Sequence, residues 1–280
     1  KHLMIVKLKF LLTKMLKKGP LEMMHWRSSW IAFTTILFKE IKRFTRIWPQ
    51  TLLPPGIVMA LYFVIFGKMI GSRIGEMDGF AYIDYIVPGL IMMSVITNSY
   101  SNVASSFFST KFQRSIEELM VAPVSPHVIL LGYTFGGVAR GLAVGLIVTL
   151  MSLFFTRLQV QHIGLTICVV FFTSLVFSLG GFINSVFART FDDISIVPTF
   201  VLTPLTYLGG VFYSIHLLSP FWQGLSMVNP ILHMVNAFRY GILGVSDIPI
   251  ATALIIMAVF TVALYSLSYW LLVRGTGMRQ

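Results

Sequence analysis

Glu117–Glu118 and Asp192–Asp193 are the two places where this chain of 280 residues sets acidic side chains next to each other. No constellation suited to catalysis surrounds them. The histidines at 2, 25, 127, 162, 216 and 233 form neither HExxH nor any other short ligand spacing, so no metal site is expected. Cys168 is the single cysteine and lies in an apolar run, which leaves no disulfide framework. There is no GxSxG nucleophile turn and no GxxxxGK[ST] phosphate loop. The residues therefore point away from an enzyme, and any energy source must be an ion gradient or another chain.

A gradient-driven carrier usually places ionisable side chains near the bilayer midplane. Arg140 is the one firmly intramembrane charge in the apolar runs, and no buried Asp or Glu accompanies it; Asp84 and Asp247 fall near span ends. Structural pairing with backbone carbonyls or polar side chains is the expected role of Arg140, with an anionic substrate as the alternative. The missing carboxylates weaken the gradient-driven reading.

Uncharged polar residues are more telling. Ser94, Asn98, Ser101 and Ser105 fall at i, i+4, i+7 and i+11 of one helix face, widened by Thr97 and Asn102. Thr199, Thr203 and Thr206 repeat the pattern, followed by Tyr207, in a segment that Pro198, Pro204 and Gly209–Gly210 should kink. In lipid such groups face another helix or a water-filled cavity, so the stripes are either interhelical glue or the lining of a path. Gly137, Gly141 and Gly145, like Gly67, Gly71 and Gly75, recur every fourth residue and are expected to form packing seams.

These residues need elements to hold them, and composition says which. The chain is 56% hydrophobic and only 11% charged, against about 25% charged in soluble domains. Its apolar runs match the roughly 20 residues that cross a bilayer. Six spans are predicted: 51–71, 86–109, 128–156, 163–187, 196–214 and 249–273. The net charge of +11 does not indicate nucleic acid, because eleven of the 21 Lys and Arg residues precede residue 51. Near the membrane, Lys39, Lys42, Arg43, Arg46, Lys111, Arg114, Arg189, Arg274 and Arg279 lie on one side, and Lys68, Arg73, Arg157 and Arg239 on the other. The positive-inside rule then puts both termini and the loops 110–127 and 188–195 in the cytoplasm. The expected organisation is a basic cytoplasmic segment 1–50, a membrane domain 51–273 and a tail 274–280.

"WIAFTTILFKEIKRFTRIW" reads as an interfacial helix leading into the first span. The first 50 residues lack the features of a cleavable signal. Within them, residues 1–22 are either a basic amphipathic helix or lie before a start at Met23 or Met24. "HLLSPFWQGLSMVNPILHMVNAFRYGILG", between the last two spans, is too long for a turn and is expected to form a re-entrant or interfacial pair of short helices.

"FQRSIEELMVAPVS" (112–125) interrupts the apolar sequence with charge. Thr110 and Gln113 fit a capping box, Phe112, Ile116, Leu119 and Met120 form an apolar stripe, and Pro123 and Pro126 end the pattern. A helix of about 13 residues is expected. An interfacial helix would carry Lys and Arg toward anionic lipid, whereas Glu117 and Glu118 favour a protein partner.

Glu117, Glu118, Leu119, Met120, Pro123, Val124, Ser125, Leu131 and Gly132 together resemble the cytoplasmic loop of the ABC-2 type membrane subunits of ABC transporters. The resemblance extends to "FDDISIVPTFVLTPLTYLGGVFYSI" and "NPILHMVNAFRYGILG", and covers most of residues 25–275. It implies an all-α, six-span permease of the bacterial plasma (inner) membrane, paired as a homodimer and docked on two copies of a separate ATP-binding subunit. ATP and Mg²⁺ would be held by that partner, and this chain would need no cofactor. Phe112, Ile116, Glu117, Glu118, Leu119, Pro123, Val124 and Ser125 would couple to the ATPase, with Asp192 and Asp193 as a second docking contact. The stripes of Ser94, Asn98, Ser101, Asn102, Thr199, Thr203, Thr206 and Tyr207 would line the path. A gradient-driven transporter and a membrane assembly protein without transport are the alternatives.

Overall fold

The computed structural model describes residues 27–277. The two readings of residues 1–22, and the end of the 274–280 tail, fall outside those residues. Helix α1 covers 27–46, and α2 (Trp48–Ile74) follows after Ile47. Pro49 sits in the first turn of α2, where no intrahelical N–H is required. The Thr51 hydroxyl closes the corner by donating to Phe44 O at 2.8 Å and Ile47 O at 3.2 Å. A two-residue hairpin, β1 (Glu76–Met77) and β2 (Phe80–Ala81), turns the chain back. Its turn residues Asp78 and Gly79 both have positive φ, 51° and 80°, the mirror-image turn that Asp-Gly favours.

The remaining helices are α3 (Tyr82–Phe112), α4 (Ser115–Val121), α5 (Pro126–Ser152), α6 (Ile163–Phe187), α7 (residues 191–207), α8 (Pro220–Val228), α9 (Pro230–Leu243) and α10 (Ile250–Arg274). Among the described residues, α2, α5, α6 and α10 are long and apolar enough to cross a membrane. Helix α3, with 31 residues, is about 46 Å long but more polar. Helix α7 comes in three pieces, with a wider π-helical turn over Pro198–Leu202 between Phe191–Val197 and Thr203–Tyr207. Pro198 and Pro204 supply no N–H to the regular ladder there, which accounts for the break. Helices α8 and α9 form the expected pair of short helices between the last two long segments.

Polar α3 is the centre of the fold, packed chiefly on α5 and α6, while α2 and α10 lie outside. Leu61, Met69, Ile255, Val259 and Val262 of those outer helices are exposed, an arrangement suited to lipid rather than water. Apolar helices gain little from the hydrophobic effect inside a bilayer, so close approach has to supply dispersion and hydrogen bonding. The glycine seam provides it. A Cβ on Gly137 would meet Ser178 and Val103, one on Gly141 would meet Ser99 and Ser174, and one on Gly145 would meet Val95. The seam therefore seats α5 against both α3 and α6.

Helix α1 is tied down more firmly than an interfacial helix needs to be. Gly132 and Gly136 of α5 receive Ile36 and Glu40. Glu40 is 0% exposed and accepts from Ser106 Oγ at 2.6 Å, while its other oxygen meets Arg43 Nη2 at 3.3 Å. Arg43 Nη2 also donates to Asn102 O and Oδ1, both at 2.9 Å. Arg140 is thus not the one charge within the bundle: Glu40, Arg43, Lys111 and Arg239 are also drawn into it.

Candidate coupling surface and central face

The interrupting helix is shorter than its sequence pattern suggests. Helix α3 continues through Thr110, so Thr110 is not an N-cap and Gln113 is not in a capping box. The Thr110 hydroxyl is buried, donating to Ser106 O at 3.1 Å and lying 3.0 Å from Tyr133 OH. The preceding helical turn and Tyr133 of α5 claim the hydroxyl that a local cap would have used. The break comes at Arg114, a left-handed residue with φ 60°, and α4 begins at Ser115. Lys111 is buried as well.

Helix α4 divides its faces cleanly. Ile116 is 1% exposed and packs in a cluster with Val103, Phe107, Ile129 and Leu130; Leu119 and Val124 are partly buried against that cluster. Glu117 and Glu118 are exposed, together with Pro123 and Ser125. Met120 and Val121 are also open, Val121 at 87%. The predicted apolar stripe therefore splits: Ile116 and Leu119 anchor the helix, while Met120 joins the carboxylates outside. Phe112 is exposed but its ring meets those of Phe108, tilted, and Phe191, edge-on, at centroid distances of 6.0 and 5.2 Å.

The second acidic pair sits at the foot of α7 and is divided by role. Asp193 Oδ2 accepts the N–H groups of Arg189 at 2.8 Å and Thr190 at 3.0 Å, while the Thr190 hydroxyl accepts from Asp193 N at 3.2 Å. This is a capping box on α7. The backbone N–H of Arg189, then that of Thr190, hold the Asp193 carboxyl below the usual carboxylate range. Asp192 is exposed beside it.

The stripe read along α3 also divides. Ser94, Asn98 and Asn102 are buried inside the bundle. Asn98 Oδ1 accepts from Arg140 Nη2 at 3.2 Å, and the same nitrogen reaches Thr51 O at 3.4 Å. Arg140 thus has the structural pairing expected of it. Thr97 is exposed, and Ser101, Ser105 and Ser109 are half-buried one turn apart. These four residues, not Ser94, Asn98 and Asn102, form the open polar face of α3. On α7, Thr199, Thr203 and Tyr207 are exposed, whereas Thr206 is buried and donates to Leu202 O at 2.7 Å. Thr203 donates to Pro198 O at 2.9 Å across the wide turn. Helix α7 packs beside α3. The exposed residues on each recur every fourth position, a signal available from helical phase, but the choice of face depended on where Arg43 and Arg140 reach.

At the opposite end of the bundle, Arg239 of α9 is 0% exposed. It donates to Gly210 O at 2.6 Å and Tyr85 O at 3.3 Å, and its guanidinium lies 4.0 Å above the Tyr85 ring. Asp247 accepts from Ile215 N at 2.9 Å, Ser214 Oγ at 3.1 Å and Tyr85 OH at 3.4 Å. Sequence reading placed Arg239 as a loop charge; the network could not be inferred, since its partners are largely backbone carbonyls distant in the chain.

Comparison with known proteins fits this architecture. The pattern of the ABC-2 type transporter family matches residues 31–243. The chain is 62% identical over 250 residues to the inner membrane transport permease YadH of Escherichia coli K12, covering 89% of this chain and 98% of that protein. The same identity and coverage hold for the protein of that name from Shigella flexneri. Nodulation protein J of Sinorhizobium fredii is 22% identical over 218 residues, covering 78% of this chain and 82% of that protein. The chain is a multi-pass protein of the bacterial inner membrane and not an enzyme. The motif around Glu117–Glu118, the helical bundle and these likenesses converge on one conclusion: the chain belongs to the ABC-2 type transporter family.

Proposed function

We propose that this chain is the membrane subunit of an ATP-driven exporter. Two copies pair around a central path, and two separate ATP-binding subunits, which bind ATP and Mg²⁺, dock on the cytoplasmic side where both termini lie. Helices α3 and α7 complete six spans, α3 tolerating its polarity because it is enclosed and α7 its breaks because they line a cavity. Helix α4 is the coupling helix. The observation that carries this reading is the division of α4: Ile116 buried in the bundle and Glu117, Glu118, Met120 and Val121 turned outward on a seven-residue helix. Such a lever is anchored on one side and offers both charge and apolar surface to a partner on the other. Thr97, Ser101, Ser105, Thr199, Thr203 and Tyr207 line the path. Uncharged and weakly polar, they suit an amphipathic or polyol-like cargo.

The test is reconstitution with the ATP-binding subunit proposed as the partner. Glu117→Arg combined with Glu118→Arg is expected to abolish co-purification or to reduce the ATPase rate of the complex about tenfold or more, the effect of setting like charges across an interface. A complex that assembles and hydrolyses ATP as the unaltered one does would sink the assignment.

A further inference from the structure

We infer that Lys111 is a positioning residue that transmits movement of α4 into α7 by clamping the coupling segment to the α6–α7 corner; this rests on the coupling reading of α4 above. Lys111 is 5% exposed. Its ammonium donates to Val186 O and Ala188 O, both at 2.7 Å, and to Ser185 O at 3.4 Å. These acceptors lie at the C-terminal end of α6, where carbonyls lack intrahelical donors and the helix dipole favours a cation. A lysine at the end of one helix therefore caps the end of another.

Two further observations extend the clamp to α7. The rings of Phe108 and Phe112, on either side of Lys111 in sequence, lie 4.9 and 5.2 Å from that of Phe191, the first residue of α7. The corner between α6 and α7 is short and internally braced by the Thr190–Asp193 capping box and by Asn184 Nδ2 donating to Ile194 O at 3.1 Å. The end of α6 and the start of α7 therefore move together. Helix α4 meets the clamp through Phe112, Gln113 and left-handed Arg114, so a push on α4 reaches Lys111 across a three-residue link. Above the braced foot, the wide turn at Pro198–Leu202 is the weakest part of α7. Displacement of the foot is taken up there, beside exposed Thr199 and Thr203.

The experiment uses the full complex with its ATPase in lipid nanodiscs, with Cys168→Ser and a reporter at Thr203→Cys. The rate of labelling by a membrane-impermeant maleimide is compared with and without vanadate-trapped nucleotide. In Lys111→Met the nucleotide-dependent change in rate is expected to fall about tenfold or more, since one charge-assisted hydrogen bond already corresponds to about that ratio and Lys111 makes more than one. Lys111→Arg, which keeps charge and donors but not the compact head, is expected to restore part of it, which simple loss of packing would not predict. If Lys111→Met does not assemble, Phe112→Ala, which removes an exposed ring, carries the same expectation. An unchanged response in the tested variant, or an equal loss in Lys111→Arg, overturns the clamp. Glu117→Arg with Glu118→Arg serves as reference. A full response there overturns the coupling reading itself; loss there with a full response in Lys111→Met overturns the clamp alone.

Discussion

Lys111 and Arg239 are buried cations at opposite ends of the same bundle, and both spend their hydrogen bonds on backbone carbonyls from elsewhere in the chain. Their surroundings differ. Arg239 is enclosed between α3, α9 and the segment after α7, with its guanidinium on the Tyr85 ring and the Asp247 network alongside. Lys111 sits next to a left-handed residue, a short helix and exposed carboxylates. One cation knots a closed end; the other joins an end that leaves charged and apolar side chains exposed. The planar fork of arginine suits the first, because it reaches two divergent carbonyls while stacking on an aromatic ring. The compact ammonium of lysine suits the second, because three carbonyls of one helix end converge on a point.

The sharpest way to break this comparison is to remove the closed knot. Arg239→Leu is expected to destabilise the protein by about 3 kcal/mol, since it leaves buried carbonyls unpaired, and Arg239→Lys should recover little because it lacks the fork. Thermal unfolding of the detergent-solubilised protein, followed by tryptophan fluorescence, measures both. A stability loss for Lys111→Met equal to that for Arg239→Leu would erase the distinction between the ends.

A smaller effect is expected midway between them. Gly141→Val thrusts new atoms onto Ser99 and Ser174 and should cost about 1–3 kcal/mol through overpacking. Gly164→Ala, with nothing within 4 Å of the added carbon, should stay within about 0.5 kcal/mol of the parent. Equal melting curves for the two variants would remove the seam as the spacer between the ends.

The mildest test is pH. Asp193 is held low by N–H donors, so its cap contributes fully above the ordinary carboxylate range and is lost as pH falls through its lowered value. The stability difference between the parent and Asp193→Asn should be constant from about pH 5 to pH 8 and should close below about pH 4. A difference that closes near neutral pH would show that another group governs the corner.

Much of this was legible in residue order. Apolar runs located α2, α5, α6 and α10, and four-residue glycine spacing located the seam at Gly137, Gly141 and Gly145, because lipid leaves so few ways to satisfy a backbone and bring helices together; the same spacing fails at Gly75, a positive-φ helix end with nothing within 4 Å of an added carbon. The family, too, was readable from Glu117 to Ser125 and the later segments. The start of α4 was not. Thr110 and Gln113 match a cap locally, yet Ser106 and Tyr133 engage the threonine hydroxyl and the preceding helix runs on. Nor was the choice between Ser94, Asn98, Asn102 and Thr97, Ser101, Ser105 available, since both sets are helical in phase.

Sequence by itself determined which segments are apolar, where charge interrupts them and which residues share a helix face, because these follow from composition and helical period. Tertiary structure alone decided which face is turned inward and which charges are buried. The carbonyls that hold Lys111 and Arg239, and the amides that meet Arg43 and Arg140, come from distant segments of the chain, and no local pattern encodes a partner that only packing brings near.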